Sequence, residues 1–196
     1  MIKIHCPHDY HQSPGGGALL ILHTTLKIKI MRMNKRILFV CAGNTSRSPI
    51  AEAICNAELA RRLNVAWEAM GQTHVRALSA GVTPRADAPM TPESHGVLRQ
   101  LGVLFKPHQA RGITEEMTRQ SEVIYCMTQK LRQQVIELYP AVATKVHCLD
   151  PEGDIEDPSG KDEATYARCA RRIQALVHAR LNEAGILGTP PATTVQ

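Results

Sequence analysis

Apolar positions along this chain fall into short unbroken runs and longer periodic stretches that alternate. Ile37 to Val40 is an apolar run entered from Lys35-Arg36 and closed by Cys41, the pattern of a strand buried on both faces. Pro49 to Leu63 has helical periodicity, with Ile50, Ile54, Ala57 and Leu63 near one face, and Ser48-Pro49 reads as a cap followed by a first-turn proline. Val75 to Ser79 is a second strand, running into Ser79-Ala80-Gly81. Thr91-Pro92 opens a helix to Leu101, stopped by Gly102. Thr114-Glu115-Glu116 starts a short helix, Glu122 to Met127 is a third strand, and Thr128 caps a helix that reaches Leu138 before Pro140. Thr144 to Leu149 gives a fourth strand. A last helix spans Asp162 to Ala184, its inner stripe carrying Tyr166, Cys169, Ile173 and Leu176.

Strands alternating with helices predict an α/β fold: a three-layer sandwich whose four-stranded parallel sheet is covered by helices on both faces. Ligands of such sheets sit beyond the C-terminal ends of the strands, and Cys41 stands at one of those ends. The loop after it contains Gly43 and Asn44, which tolerate positive φ. Its backbone N–H groups, from 42 to 47, can turn inward beside the unpaired donors of the helix start, which makes an anion nest. The same field favours a thiolate at Cys41, and the planar fork of Arg47 can hold two phosphate oxygens. A phosphate-shaped hole floored by sulfur points to displacement on phosphorus through a phosphocysteine. That reaction needs an acid for the leaving group and then a base for water, roles that one carboxyl can fill in turn. Two Asp-Pro pairs, Asp150-Pro151 and Asp157-Pro158, compete for it, and spacing does not choose between them.

A bare cysteine and arginine at this spacing would read as a packed thiol and a solvated helix residue. The full segment CAGNTSRSP, set between a strand and a helix, resembles the phosphate-binding loop of the low-molecular-weight protein tyrosine phosphatases, Cys-x-Gly-Asn-x-x-Arg-Ser-Pro. The resemblance extends over roughly residues 36–184, where Ser-Ala-Gly, His-x-Ala-Arg and Asp-Pro segments follow in the family's order. It implies that Cys41 is the nucleophile, Arg47 the phosphate clamp, and Asp157, within Ile155-Glu156-Asp157-Pro158, the general acid and base, leaving Asp150 as a loop-start residue. Ala42, Gly43, Asn44, Thr45 and Ser46 would then form the phosphate-binding loop, with Asn44 left-handed. Ser48 would hydrogen-bond the thiolate, Ser79 would bond Asn44, and His108 would join that network. The implied activity is hydrolysis of phosphotyrosine-type monoesters on phosphorylated protein substrates, with no metal or other cofactor.

Three positions depart from the family's pattern. Ser46 stands where many members carry a second cysteine that traps the oxidised nucleophile as a disulfide, so that protection is lacking here. Thr45 replaces the usual Leu or Ile that faces a phenol ring, and resembles the bacterial branch that hydrolyses phosphoarginine. Ser159 replaces an aromatic that lines the cleft. Thr45 makes a protein-arginine phosphatase the alternative within one mechanism, while Ser159 departs from both branches. Two further readings are arsenate reduction, for which Cys126 and Cys148 would have to relay a disulfide, and a phosphate-binding module without turnover.

Composition adds compartment and partners. The six cysteines show no short-range pairing pattern, which fits a reducing cytoplasm and a working thiolate. Residues 1–35 hold five basic side chains against one acidic, out of a net charge of +5, so the remainder is close to neutral and the basic balance is no argument for nucleic acid. The patch from Ala18 to Leu22 is too short to span a membrane, and a monomer or weak dimer is expected. His5, Cys6, His8 and His11 read as polar residues rather than a metal set. The expected organisation is an N-terminal extension over 1–35, a phosphatase domain over 36–184 and a disordered tail over 185–196. The extension reads as disordered or as an upstream misreading of a start at Met31 or Met33. An intact mass on native protein should therefore correspond to one of those two starts; a mass that includes Met1 removes that reading.

Overall fold

A computed structural model describes residues 35–183. The expectations for the N-terminal extension, the tail and the His5, Cys6, His8 and His11 set lie outside these residues. Four strands, β1 (Lys35–Cys41), β2 (Val75–Gly81), β3 (Val123–Cys126) and β4 (Val146–Cys148), form one sheet in the order β2-β1-β3-β4, all parallel. The helices are α1 (Arg47–Leu63), α2 (Pro92–Gln100), α3 (Glu115–Gln120), α4 (Gln129–Leu138) and α5 (Glu163–Glu183). The chain leaves β1 toward one side of the sheet and returns to the other side for β3, so the topological switch lies at the C-terminal end of β1. Cys41 is the last residue of that strand.

Every residue from Ile37 to Cys41 is buried, which requires cover on both faces. Ile37 and Phe39 face Cys55 of α1 and Val177 and Leu181 of α5, while α3 packs on β1 and α4 on β3 and β4. Phe39 stacks on Tyr125 with ring centres 5.9 Å apart, and the Arg180 guanidinium lies 5.7 Å from the Tyr125 ring. Where α1 and α5 meet, Glu58 is buried and accepts from Arg61 and Arg62. Hydrogen bonding by Arg61 first, and then by Arg62, outweighs burial and holds its carboxyl down at about 2.

Both outer strands have their free edges covered by the chain itself, which blocks pairing with another chain. On β2, the Asn56 amide imitates a strand: its Nδ2 donates to the Ala77 carbonyl at 3.2 Å and its Oδ1 accepts from the Ala77 N–H at 2.9 Å. Thr73 Oγ1 covers the Val75 carbonyl, and Arg111 with Ile113 covers Ser79 and Gly81. On β4, Arg132 donates to the Val146 carbonyl and Arg180 to those of Cys148 and Leu149.

Local structure departs from the sequence pattern in three places. Helix α1 begins at Arg47, ahead of the expected Ser48 cap, and Ser46 occupies the cap position without a side-chain bond. The fourth strand is confined to Val146–Cys148, because Thr144 and Lys145 close a 3-10 turn from Pro140, with Lys145 Nζ donating to the Arg119 and Ser121 carbonyls. On α5 the buried stripe continues from Ile173 to Val177 and Leu181 and leaves Leu176 half-buried, since the i+4 row follows the sheet better than i+3 here. Thr91, Thr114 and Thr128 do cap α2, α3 and α4. Asn56→Leu should lower the unfolding free energy by about 1–3 kcal/mol, because it strands the buried Ala77 N–H and C=O without partners; urea denaturation with an unchanged midpoint would show that the amide does not hold this edge.

Candidate active site

The loop from Cys41 to Arg47 is held by Asn44, which is fully buried and left-handed at φ 55°. Its side chain and backbone are completely satisfied. Nδ2 donates to Ser48 Oγ at 3.0 Å and to Ser79 Oγ at 2.9 Å, and Oδ1 accepts from the Arg111 N–H at 2.9 Å. The Asn44 carbonyl accepts from His108 Nε2 at 2.8 Å, while its own N–H donates to Cys41 Sγ at 3.2 Å. A carbonyl can only accept, so Nε2 is the protonated nitrogen of His108. Burial pushes the His108 pKa down, against the opposing pull of the Asn44 carbonyl. Ser79 in turn donates to Glu52 Oε2 at 2.5 Å, and Arg111 reaches the same oxygen at 3.4 Å.

Ser48 explains the displaced helix start. Its hydroxyl lies 2.9 Å from Cys41 Sγ and 3.3 Å from the Ala80 carbonyl, so the side chain serves the sulfur and not the helix cap. With no side chain capping α1, the N–H groups of Gly43, Thr45, Ser46 and Arg47 donate to no acceptor among the described residues. These groups and the helix dipole give an anion site with Cys41 Sγ at its base. Thr91 N–H fixes the Thr45 carbonyl at 3.0 Å, and Thr83 N–H fixes that of Ala42 at 3.1 Å. Ser46 is buried and its Oγ has no hydrogen-bond partner among the described residues.

The arginine and the second Asp-Pro pair meet. Arg47, 6% exposed, donates from Nη1 to the Ile155 carbonyl at 3.0 Å and from Nη2 to Asp157 Oδ2 at 2.5 Å. Asp157 is 49% exposed, and its Oδ1 accepts from the Ser159 N–H. Asp150 is buried instead, paired with Arg172 at 2.6 Å and accepting from the Glu152 N–H, which is a loop-start role. The structure thus brings Cys41, Asn44, Arg47, Ser48, Ser79, His108 and Asp157 together and keeps Asp150 out.

Four contributors carried no usable signal in the sequence: Glu52, Arg111, Thr91 and the Ile155 carbonyl. Glu52 sits one turn beyond Ser48 in an alanine-rich helix, and Arg111 belongs to the His-x-Ala-Arg segment without any local hint of its partner. Cys126 and Cys148, far apart in the chain, are register partners on β3 and β4. Both are buried and burial raises both thiols, which opposes the thiolate exchange a disulfide relay requires.

Gly81 packs directly against this loop. A methyl there would stand 2.5 Å from the Ala42 carbonyl and 3.1 Å from Asn44 Cβ. Gly81→Ala should therefore cost about 1–3 kcal/mol of stability and shrink the rise in Tm that inorganic phosphate produces. An undiminished phosphate-induced rise would show that the loop tolerates the methyl group.

Comparison with known proteins agrees with this geometry. The sequence model of the low molecular weight phosphotyrosine protein phosphatase family matches residues 36–184. The chain is 27% identical over 158 residues to the probable low molecular weight protein-tyrosine-phosphatase EpsP of Ralstonia nicotianae, covering 80% of this chain and 100% of that one. It is 29% identical over 147 residues to a protein-arginine-phosphatase of Bacillus subtilis, covering 72% and 91%. The crystal structure of a low molecular weight protein tyrosine phosphatase from T. tengcongensis superposes with a TM-score of 0.68 at 29% identity, over 76% of this chain and 99% of that one. A strand, an asparagine-braced loop and a helix start, matched over nearly all of the described chain, place this protein in the low molecular weight phosphotyrosine protein phosphatase family.

Proposed function

We propose that the protein hydrolyses phosphotyrosine-type monoesters on proteins through a phosphocysteine. The observation that carries this reading is the shared position of three groups: Cys41 Sγ under the loop donors, Arg47 beside them, and Asp157 held to Arg47 at 2.5 Å. An arriving phosphoryl group takes the loop N–H groups and competes with Asp157 for Arg47 Nη2, while Nη1 stays on the Ile155 carbonyl. Freed from that pair, the Asp157 carboxylate takes up, through solvent, the proton that leaves the Cys41 sulfur, and turns to the leaving oxygen. Cys41 sulfur attacks phosphorus, the P–O bond to the side chain breaks, and Asp157 gives its proton to the departing oxygen. Water then attacks the phosphocysteine, its proton passes to the Asp157 carboxylate, and inorganic phosphate leaves with the sulfur restored. The Ser48 hydroxyl, 2.9 Å from the sulfur, stabilises the charge that returns to it at that second step. Ala42, Gly43, Asn44, Thr45 and Ser46 supply the cradle, and Ser79 and His108 hold Asn44. The steps use the chain's own groups and water and call for no cofactor.

Substrates on this reading are phosphorylated proteins, and the enzyme works in the cytoplasm as a monomer or weak dimer. Two observations are consistent with the compartment. The five described cysteines are free and buried, and no helix of the described residues is long and apolar enough to cross a membrane.

A second reading, phosphoarginine hydrolysis by the same steps with a P–N bond broken, is favoured by the aromatic inventory. Described aromatic residues are Phe39, Tyr125 and Tyr166 in the core, Tyr139 donating to the Ile113 carbonyl, and Trp67 and Phe105 beside β2. None is available to clasp a phenol at Thr45 and Ser159. Peptide pairs bearing phosphotyrosine or phosphoarginine decide between the readings. Cys41→Ala should abolish turnover of both and Asp157→Asn should lower it sharply, whereas Asp150→Asn should retain it. A phosphoarginine preference of about a hundredfold in kcat/KM, equivalent to about 2.7 kcal/mol, that Thr45→Ile reverses would establish the arginine reading. Turnover that survives Cys41→Ala would overturn both.

A further inference from the structure

Between α1 and β2 lies a cavity of about 170 Å³. Trp67, Met70, Met90 and Phe105 give it an apolar wall. An apolar cavity of about 150 Å³ is enough to take a benzene ring. Its polar lining is made of Glu52, His108, Arg76 and Lys106. Glu52, 22% exposed on its side chain, spends Oε2 on Ser79 and Arg111, and its Oε1 makes no hydrogen bond among the described residues. His108 is protonated on Nε2, which leaves Nδ1 an acceptor in the neutral ring. Neither the Arg76 nor the Lys106 side chain has a hydrogen-bond or ion-pair partner among the described residues. One wall of aromatic and thioether groups, two spare acceptors and two unpaired cations are thus gathered in one place.

We infer that this cavity is an effector site for a small aromatic zwitterion of the free amino acid type. The ring stacks on Trp67 and Phe105, the ammonium meets Glu52 and His108, and the carboxylate meets Arg76 and Lys106. Each charge of the lining then finds its opposite, which a simple amine or a simple acid does not achieve. The site is coupled to the phosphate loop by contacts already described. Glu52 accepts from the Ser79 hydroxyl, Ser79 accepts from Asn44, and His108 donates to the Asn44 carbonyl. An ammonium at Glu52 competes with Ser79 for the carboxylate charge and loosens Asn44, so occupancy lowers kcat. This coupling, but not the binding itself, rests on the phosphatase reading.

Trp67 is the only tryptophan of the chain, so its emission reports the cavity directly. Three probes separate the charges: L-phenylalanine, phenethylamine without the carboxylate, and 3-phenylpropionate without the amine. L-Phenylalanine should shift Trp67 emission saturably, and each half-ligand should bind about tenfold more weakly. Arg76→Ala should weaken L-phenylalanine and leave phenethylamine unaffected. Gly71 lines the cavity with nothing within 4 Å of where a Cβ would stand. Gly71→Leu should therefore fill the site and abolish the emission response while unliganded kcat/KM is retained. At saturation, L-phenylalanine should lower wild-type kcat about fivefold. No saturable response, equal binding of all three probes, or a response undiminished in Gly71→Leu would overturn the site. Saturation with unchanged kcat would overturn the coupling. Loss of the phosphatase reading would show separately, as turnover independent of Cys41 with the emission response intact.

Discussion

A single buried amide with every polar atom satisfied underlies this structure. Asn44 could occupy a left-handed conformation in water at modest cost, but burying it there requires partners for both hydrogens of Nδ2, for Oδ1, for its carbonyl and for its N–H. Those partners come from β1, α1, β2 and the segment around 108–111, so the loop forms only when these elements are already assembled. The sulfur is one of those partners. Fold and nucleophile are therefore stabilised by the same set of bonds, and a fully satisfied polar network of this kind rigidifies what it holds.

How far the sequence could be read follows from how local each signal is. The β1 run, the left-handed Asn44 and the threonine caps declare themselves through residues adjacent in the chain, and the structure has them, while Gly43 does not use the positive φ it tolerates. Ser48 is instructive because its local signal was clear and misleading: a serine before a proline suits a helix cap, but a sulfur 2.9 Å away claims the hydroxyl. The fourth strand is shorter than its sequence pattern suggests for a related reason, since Thr144 suits a strand while the turn that opens at Pro140 runs as far as Lys145.

The illegible parts are those where both partners are ordinary and the distance between them is long. Arg111 bonds Asn44 across 67 positions, and Asn56 reaches Ala77 across 21 to act as a strand without being one. Glu52 looks like any helix-surface acid until Ser79 and Arg111 are placed against it. Asp150 and Asp157 precede prolines alike, and spacing does not separate them; in the structure Arg172 pairs with one and Arg47 with the other.

The pairing of Arg47 with Asp157 also bears on how a substrate arrives. Arg47 at the phosphate site is already matched by a carboxylate, so its charge adds little long-range attraction for an approaching anion, and the pull that remains is the short-range one of the loop N–H groups. Discrimination is left to contact, where a phosphoryl group must displace a carboxylate from a nearly buried guanidinium. Small free anions, abundant and mobile, gain nothing from distance and must compete on fit alone.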